Sequence, residues 1–313
     1  MLRYFVVFSL IFYSAAYGCP FREDVTPCVC KINGSMSLHC PGINTEQDLV
    51  RIARLVRRRT DLYSIEIADS AINYIPQDTF TDIFVKGIVI SRSSFYSLSD
   101  TDIAFDGLQQ YINFLYIINS TMLGNWEWAQ LRKLNHLTSL KINGANLESI
   151  EENIKDIAHL DLLGLHLAKN RISFIHATAF SDFHRLHLLD LSYNQISDIK
   201  RDMFPNPANR LYEINLSFNQ IQELPDNMFT DMPNLKRVLL KSNLILTLKE
   251  EVFSNIWDKL ERFDSSLNDL RCDCRLSWML NKPQPRVLIG TCAEPPGLFG
   301  ESLKMLGAKD LRC

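Results

Sequence analysis

The sequence predicts an α/β solenoid: a curved horseshoe of about nine stacked coils with a parallel sheet on its concave side. Three observations carry this. A pattern of aliphatic residues, L-x-x-L-x-L-x-x-N-x-L, recurs at a nearly fixed step. A phenylalanine recurs at one place in several of those steps: Phe80, Phe180, Phe204, Phe229 and Phe253. Eight cysteines lie in two terminal clusters, with none between Cys40 and Cys272. The long middle therefore needs another source of stability, and stacked coils supply one.

The first segment, "MLRYFVVFSLIFYSAAYGCP", has one basic residue, an apolar run and then small residues. It reads as a secretory signal peptide over 1–18, cut after Gly18 with Ala16 and Gly18 as the small residues. A bacterial lipoprotein signal would place Cys19 at the cut, but Cys19 also completes the front cysteine cluster. The run is too short to span a bilayer. No second apolar stretch follows, and no hydrophobic tail for a lipid anchor precedes Cys313, so no membrane anchor is expected. Residues 19–61 form a cysteine cap and a helix. In "TEQDLVRIARLVRRRTD", Thr45 and Asp48 can cap that helix, and Leu49, Ile52 and Val56 share its apolar face. Arg51, Arg54 and Arg58 share the opposite face. That stripe suits an acidic partner or a sulfated glycan, although a solvated helix face is the simpler account.

Repeats are expected over 62–271. They start at Leu62, Val85, Ile112, Leu137, Leu162, Leu186, Leu211, Leu235 and Leu260, in steps of 23, 27, 25, 25, 24, 25, 24 and 25 residues. This is the leucine-rich-repeat period. The x-L-x-L piece alternates with period two and so forms a strand. Leu189 and Leu191 enter the core, and Leu→Ala at either should cost roughly 2–5 kcal/mol. Asn194 then turns the chain, as do Asn170, Asn219, Asn243 and Asn268. Ser70, Ser93, Ser120 and Ala145 take that place in the first four repeats. Their shorter side chains reach less well, which predicts a less regular N-terminal half. The phenylalanines stack into a row under the convex side. Residues 272–313 form a second cysteine cap, with Trp278 packed over the last coil.

Strand periodicity defines an outward row on the concave face: Glu66, Val89, Tyr116, Lys141, His166, Asp190, Asn215, Leu239 and Asp264. Neighbours in it should lie about 5 Å apart. The row is apolar at Val89 and Tyr116 and mixed in charge from Lys141 to Asp190. That suits a protein surface better than a polyanion or a purely apolar ligand. Phe114 and Ile118 join Tyr116 on the same face, and this cluster is the candidate hot spot. The competing account folds "LGNWEWAQL" over it. Asp190→Ala should leave stability nearly unchanged. Three N-x-S/T sequons, at Asn33, Asn119 and Asn215, are candidate glycosylation sites. A glycan on Asn215 would block the middle of the concave face.

No catalytic pattern stands out: no G-x-S-x-G elbow, H-E-x-x-H, phosphate loop or calcium loop. The seven histidines are scattered. His184 and His187 have a possible ligand spacing without a companion, and read as surface residues. No catalytic residue, metal or cofactor is assigned. A net charge of −3 is too small to imply nucleic-acid binding.

The cysteine spacings, C-x8-C-x-C-x9-C in front and C-x-C-x17-C-x20-C behind, resemble the caps of extracellular leucine-rich-repeat proteins. Sequence alone gives no connectivity, and zinc competes for the two C-x-C pairs. The resemblance implies disulfides Cys19–Cys30, Cys28–Cys40, Cys272–Cys292 and Cys274–Cys313. More narrowly, "CP…DVTPCVC", the helix before the first repeat and the length resemble arthropod proteins similar to the non-catalytic subunit of Oplophorus-luciferin monooxygenase. That resemblance implies a secreted accessory chain without catalytic activity. The expected function is a secreted, extracellular, non-enzymatic binding protein. It is monomeric or weakly dimeric and takes another secreted or cell-surface protein on its concave face. The alternatives are an accessory subunit of a secreted enzyme, an innate-immune binder of microbial glycan or lipid, and, with least support, an enzyme in its own right.

Overall fold

The computed structural model describes residues 23–57 and 62–313. The signal segment 1–18, Cys19 and Arg58 lie outside the described residues. One sheet of twelve strands runs the length of the molecule, in chain order. It opens with an antiparallel hairpin, Val29–Asn33 against Ser35–Pro41. Ten strands follow in parallel: Leu62–Ala68, Gly87–Ser91, Phe114–Ile118, Ser139–Asn143, Gly164–His166, Leu188–Asp190, Glu213–Asn215, Arg237–Leu239, Arg262–Asp264 and Val287–Ile289. The inward residues of each strand are buried, as at Leu165, Leu189, Ile214 and Val238. Each coil thereby buries its apolar face against its neighbours, and the core is continuous from cap to cap.

The convex side is closed by turns and short 3-10 segments rather than long helices. Its phenylalanine row is fully buried. Ring centroids are 6.3 Å apart for Phe180 and Phe204 and 5.6 Å apart for Phe229 and Phe253. Phe105, which the repeat spacing does not single out, joins the row at 5.9 Å from Phe80.

The turn after each strand differs between the halves. In the rear half, the Asn194 side-chain oxygen accepts from the Ile172 amide, while its nitrogen donates to the Leu167 and Leu191 carbonyls. Asn219, Asn243 and Asn268 repeat this across successive coils. In the front half a shorter ladder does the work. The Ser93 hydroxyl accepts from the Ser70 amide and donates to the Ser91 carbonyl. Ser120 does the same for Ser93 and Ile118. The hydroxyl has one donor where the amide has two. Backbone pairing is longer there: front strands run five to seven residues and rear strands three.

Both ends are closed by disulfides. Cys28 pairs with Cys40, Cys272 with Cys292 and Cys274 with Cys313. Cys30 is also disulfide-bonded. In front, the helix Glu46–Leu55 is capped by Thr45, whose hydroxyl accepts from the Asp48 amide, and buries Leu49 and Ile52. Behind, Trp278 packs 5.1 Å from Trp257 and donates to the Leu248 carbonyl.

Candidate functional site

The concave row lies in one register. Glu66 pairs across the sheet with Val89, then Tyr116, Lys141, His166, Asp190, Asn215, Leu239 and Asp264 follow in order. Several of these side chains are committed within the protein. Asp190 accepts from both the amide and the hydroxyl of Ser192, the latter at 2.7 Å, and its other oxygen lies 3.7 Å from His166. Burial opposes its ionisation, but the His166 and Ser192 contacts outweigh burial and hold the carboxyl below the ordinary aspartate value. Asp264 binds Ser266 in the same way and is buried. The Asn215 side-chain oxygen accepts from the Ser217 amide. The signal for these bonds is an Asp or Asn two residues before a serine, a local turn that competes with outward pointing. At the front, Glu66 accepts from Ser91 and sits 2.9 Å from His39. Burial again opposes ionisation, yet these two partners with the charges of His39 and Arg92 hold the carboxyl below its ordinary value.

The aromatic end is different. Phe114, Tyr116 and Ile118 face the same side and are half-buried. Phe114 lies 4.9 Å from Tyr116 and 5.6 Å from Tyr63, which is 46% exposed. The Phe114 ring occupies the space a Cβ on Gly87 would need, 2.0 Å away. A glycine in the neighbouring strand therefore lets the ring lie flat across it. A hollow at the entry edge of these strands is lined by Leu62, Tyr63, Phe84, Val85, Lys86 and Tyr111, with Phe84 and Tyr111 edge to face at 4.8 Å. Lys141 reaches over the Tyr116 ring at 4.8 Å. The segment "LGNWEWAQL" does not cover this cluster. Trp128 and Leu131 enter the core, and Gln130 bonds to Ser97 and Thr101 on the convex coils. Tyr63, at the start of its strand, and Phe84 and Tyr111, before theirs, are not among the alternating concave positions, so sequence spacing does not assign them to the cluster.

Asn33 and Asn119 are exposed, while Asn215 is half-buried and its sequon partner Ser217 is buried. His184 and His187 are both exposed. Arg51 is spent on the Asp24 and Thr26 carbonyls, which ties the helix to the cap and shortens the basic stripe. Among the described residues, Asp273, Cys274 and Cys313 are grouped closely enough to hold a metal ion. The disulfide between the two cysteines takes both sulfurs. No helix among the described residues is long and apolar enough to cross a membrane.

A parallel sheet on the inside of stacked coils, a turn ladder beside it and disulfides at both ends define a leucine-rich-repeat solenoid. The leucine rich repeat family model matches residues 162–208 and 209–258. Among solved structures, the chain is similar to one in the octameric complex of Latrophilin 3 (Lec, Olf), Unc5D (Ig, Ig2, TSP1) and FLRT2 (LRR). The TM-score is 0.63 at 17% identity, over 91% of this chain and 98% of that one. At that identity the likeness speaks for the fold alone. No curated protein matches the sequence, and the resemblance to the luciferin monooxygenase subunit gains no support from these comparisons.

Proposed function

We propose that this chain is an extracellular, non-enzymatic binding protein that takes a protein partner on the front of its concave face. The observation that carries the proposal is the aromatic cluster. Tyr63, Phe114 and Tyr116, with Val89 and Ile118, form an open apolar surface where water-facing residues are usually polar. Lys86 and Lys141 flank it and form no ion pair among the described residues, while Glu66 is held by His39 and Ser91. Aromatic anchors with a polar rim are the composition of a protein–protein hot spot. Disulfides at both ends support an oxidising, extracellular setting.

The test is co-purification from the secreted fluid at physiological salt, with wild type beside a Phe114→Ser/Tyr116→Ser variant. The expected result is a stoichiometric protein companion that the variant loses while remaining folded by far-ultraviolet circular dichroism. A catalytic chain as that companion would make this protein an accessory subunit. Retention of the companion by the variant would refute the aromatic site. Capture of microbial glycan or lipid in place of protein would favour an immune role instead.

A further inference from the structure

A second surface lies along the edge where the strands end. One residue in the turn after the strand is left-handed in nine successive coils, directly after the strand in front and three residues past it behind: Asp69, Arg92, Asn119, Gly144, Lys169, Tyr193, Phe218, Ser242 and Leu267 have φ between 47° and 67°. Their amides donate coil to coil, as Lys169 does to Ser192, Tyr193 to Ser217 and Phe218 to Lys241, so they stand in one column. Glycine, asparagine and aspartate adopt this conformation with little strain, whereas bulky side chains are uncommon there. Yet consecutive coils place Tyr193 and Phe218 in it, stacked at 4.0 Å and nearly parallel. Lys169 caps the Tyr193 face at 5.9 Å and Lys241 the Phe218 face at 5.5 Å.

With both faces covered, the rings present their electropositive edges outward between two ammonium groups. Tyr193 is 47% exposed. Arg171, Gln195 and Gln220 each stand two residues past a column position in sequence and are exposed. Lys169, Arg171 and Lys241 form no ion pair among the described residues. Arg92, in the same column, is held by Asp69 through two hydrogen bonds of 2.7 Å. The strip continues into Leu244 and Leu267, 42% and 65% exposed.

The geometry points to this edge as a docking strip for an extended acidic segment of a partner protein, one that also carries aliphatic side chains. Charge selects the acidic residues: unpaired cations and ring edges both attract carboxylates. The exposed leucines select a peptide over a sulfated glycan, which has no apolar side chain to bury. This site is separate from the aromatic concave cluster and stands or falls apart from it.

The experiment measures binding of the intact secreted protein to three immobilised probes: a peptide alternating glutamate and leucine, a glutamate-only peptide of equal charge, and heparin. Wild type is compared with Lys169→Glu/Lys241→Glu and with Tyr193→Asn/Phe218→Asn. Asparagine suits the left-handed turn, so the second variant should fold at least as stably. The expected result is preference for the glutamate–leucine peptide, lost by roughly tenfold or more in both variants, with melting temperature retained or raised in the asparagine pair. Equal binding of both peptides, stronger binding of heparin, or unchanged binding in the variants would overturn the proposal. A clear drop in the melting temperature of the asparagine variant would also overturn it, because the rings would then be there for packing.

Discussion

The front and rear halves of the solenoid close their turns with different hydrogen-bond patterns. The front has long strands and serine turns; the rear has three-residue strands and asparagine turns. The side-chain amide bonds three backbone groups and goes with short strands. A hydroxyl, with one donor, leaves more of the pairing to the backbone. The surfaces follow the same division. The front concave face is aromatic, whereas the rear is polar and largely self-satisfied through Asp190, Asn215 and Asp264. On the concave face of the rear half, turn bonds thus use up the polar side chains that a ligand would need.

Mutations can separate what the two halves share from what they do not. The largest effects should come from the shared core and be equal in both halves. Phe80→Ala and Phe204→Ala should each lower unfolding free energy by about 3–5 kcal/mol in denaturant titrations. Strongly unequal losses would mean the convex rows are not equivalent. Next come the turns. Asn194→Ala strands buried groups in two coils and should cost on the order of 3 kcal/mol, against about 1–2 kcal/mol for Ser93→Ala. Equal costs would remove the distinction between the ladders. Gly87→Ala pushes a methyl into the Phe114 ring and should cost about 1–3 kcal/mol. It should also alter near-ultraviolet circular dichroism from the front aromatics, while Gly164→Ala, with its nearest contact at 3.4 Å, should not.

The smallest effect is electrostatic. Asp190 is held below the ordinary aspartate value by His166 and Ser192 against burial. Its ionised form therefore stabilises the fold above the unfolded aspartate value, about pH 4, and that contribution is lost as pH falls through the lower folded value. Asp190→Asn keeps an acceptor for Ser192 but cannot titrate. Its unfolding midpoint should fall less steeply below about pH 4 than that of wild type. Identical acid limbs would exclude Asp190 as a source of the slope. Asp190→Ala should cost about 1–2 kcal/mol through the lost Ser192 bonds, not the negligible amount that its place in the concave row suggests.

Much of the fold was legible because stacking repeats a period. Leu189 and Leu191 must face inward if the pattern is to bury anything, and the outward row from Glu66 to Asp264 follows from the same alternation. Bonds within a turn, such as Asp190 to Ser192, depend on backbone direction after the strand, which hydrophobic period does not encode. Tyr63 and Tyr111 join Phe114 across coils, and their meeting depends on the offset between coils. Tyr193 and Phe218 occupy positions that the repeat pattern leaves free, so their stack is invisible to it.

Ala145 sits where serine turns give way to asparagine turns, and it offers no side-chain acceptor for the Ser120 amide. The Asn170 oxygen reaches back to the Ala145 amide, but nothing polar on the Ala145 side chain reaches back in turn to the Ser120 amide. The backbone pairing across this junction is nonetheless five residues long, from Phe114–Ile118 to Ser139–Asn143. The missing bond should therefore show locally: the Ser120 amide, without a side-chain acceptor from the next coil, should exchange faster than the Ser70 and Ser93 amides, which have one.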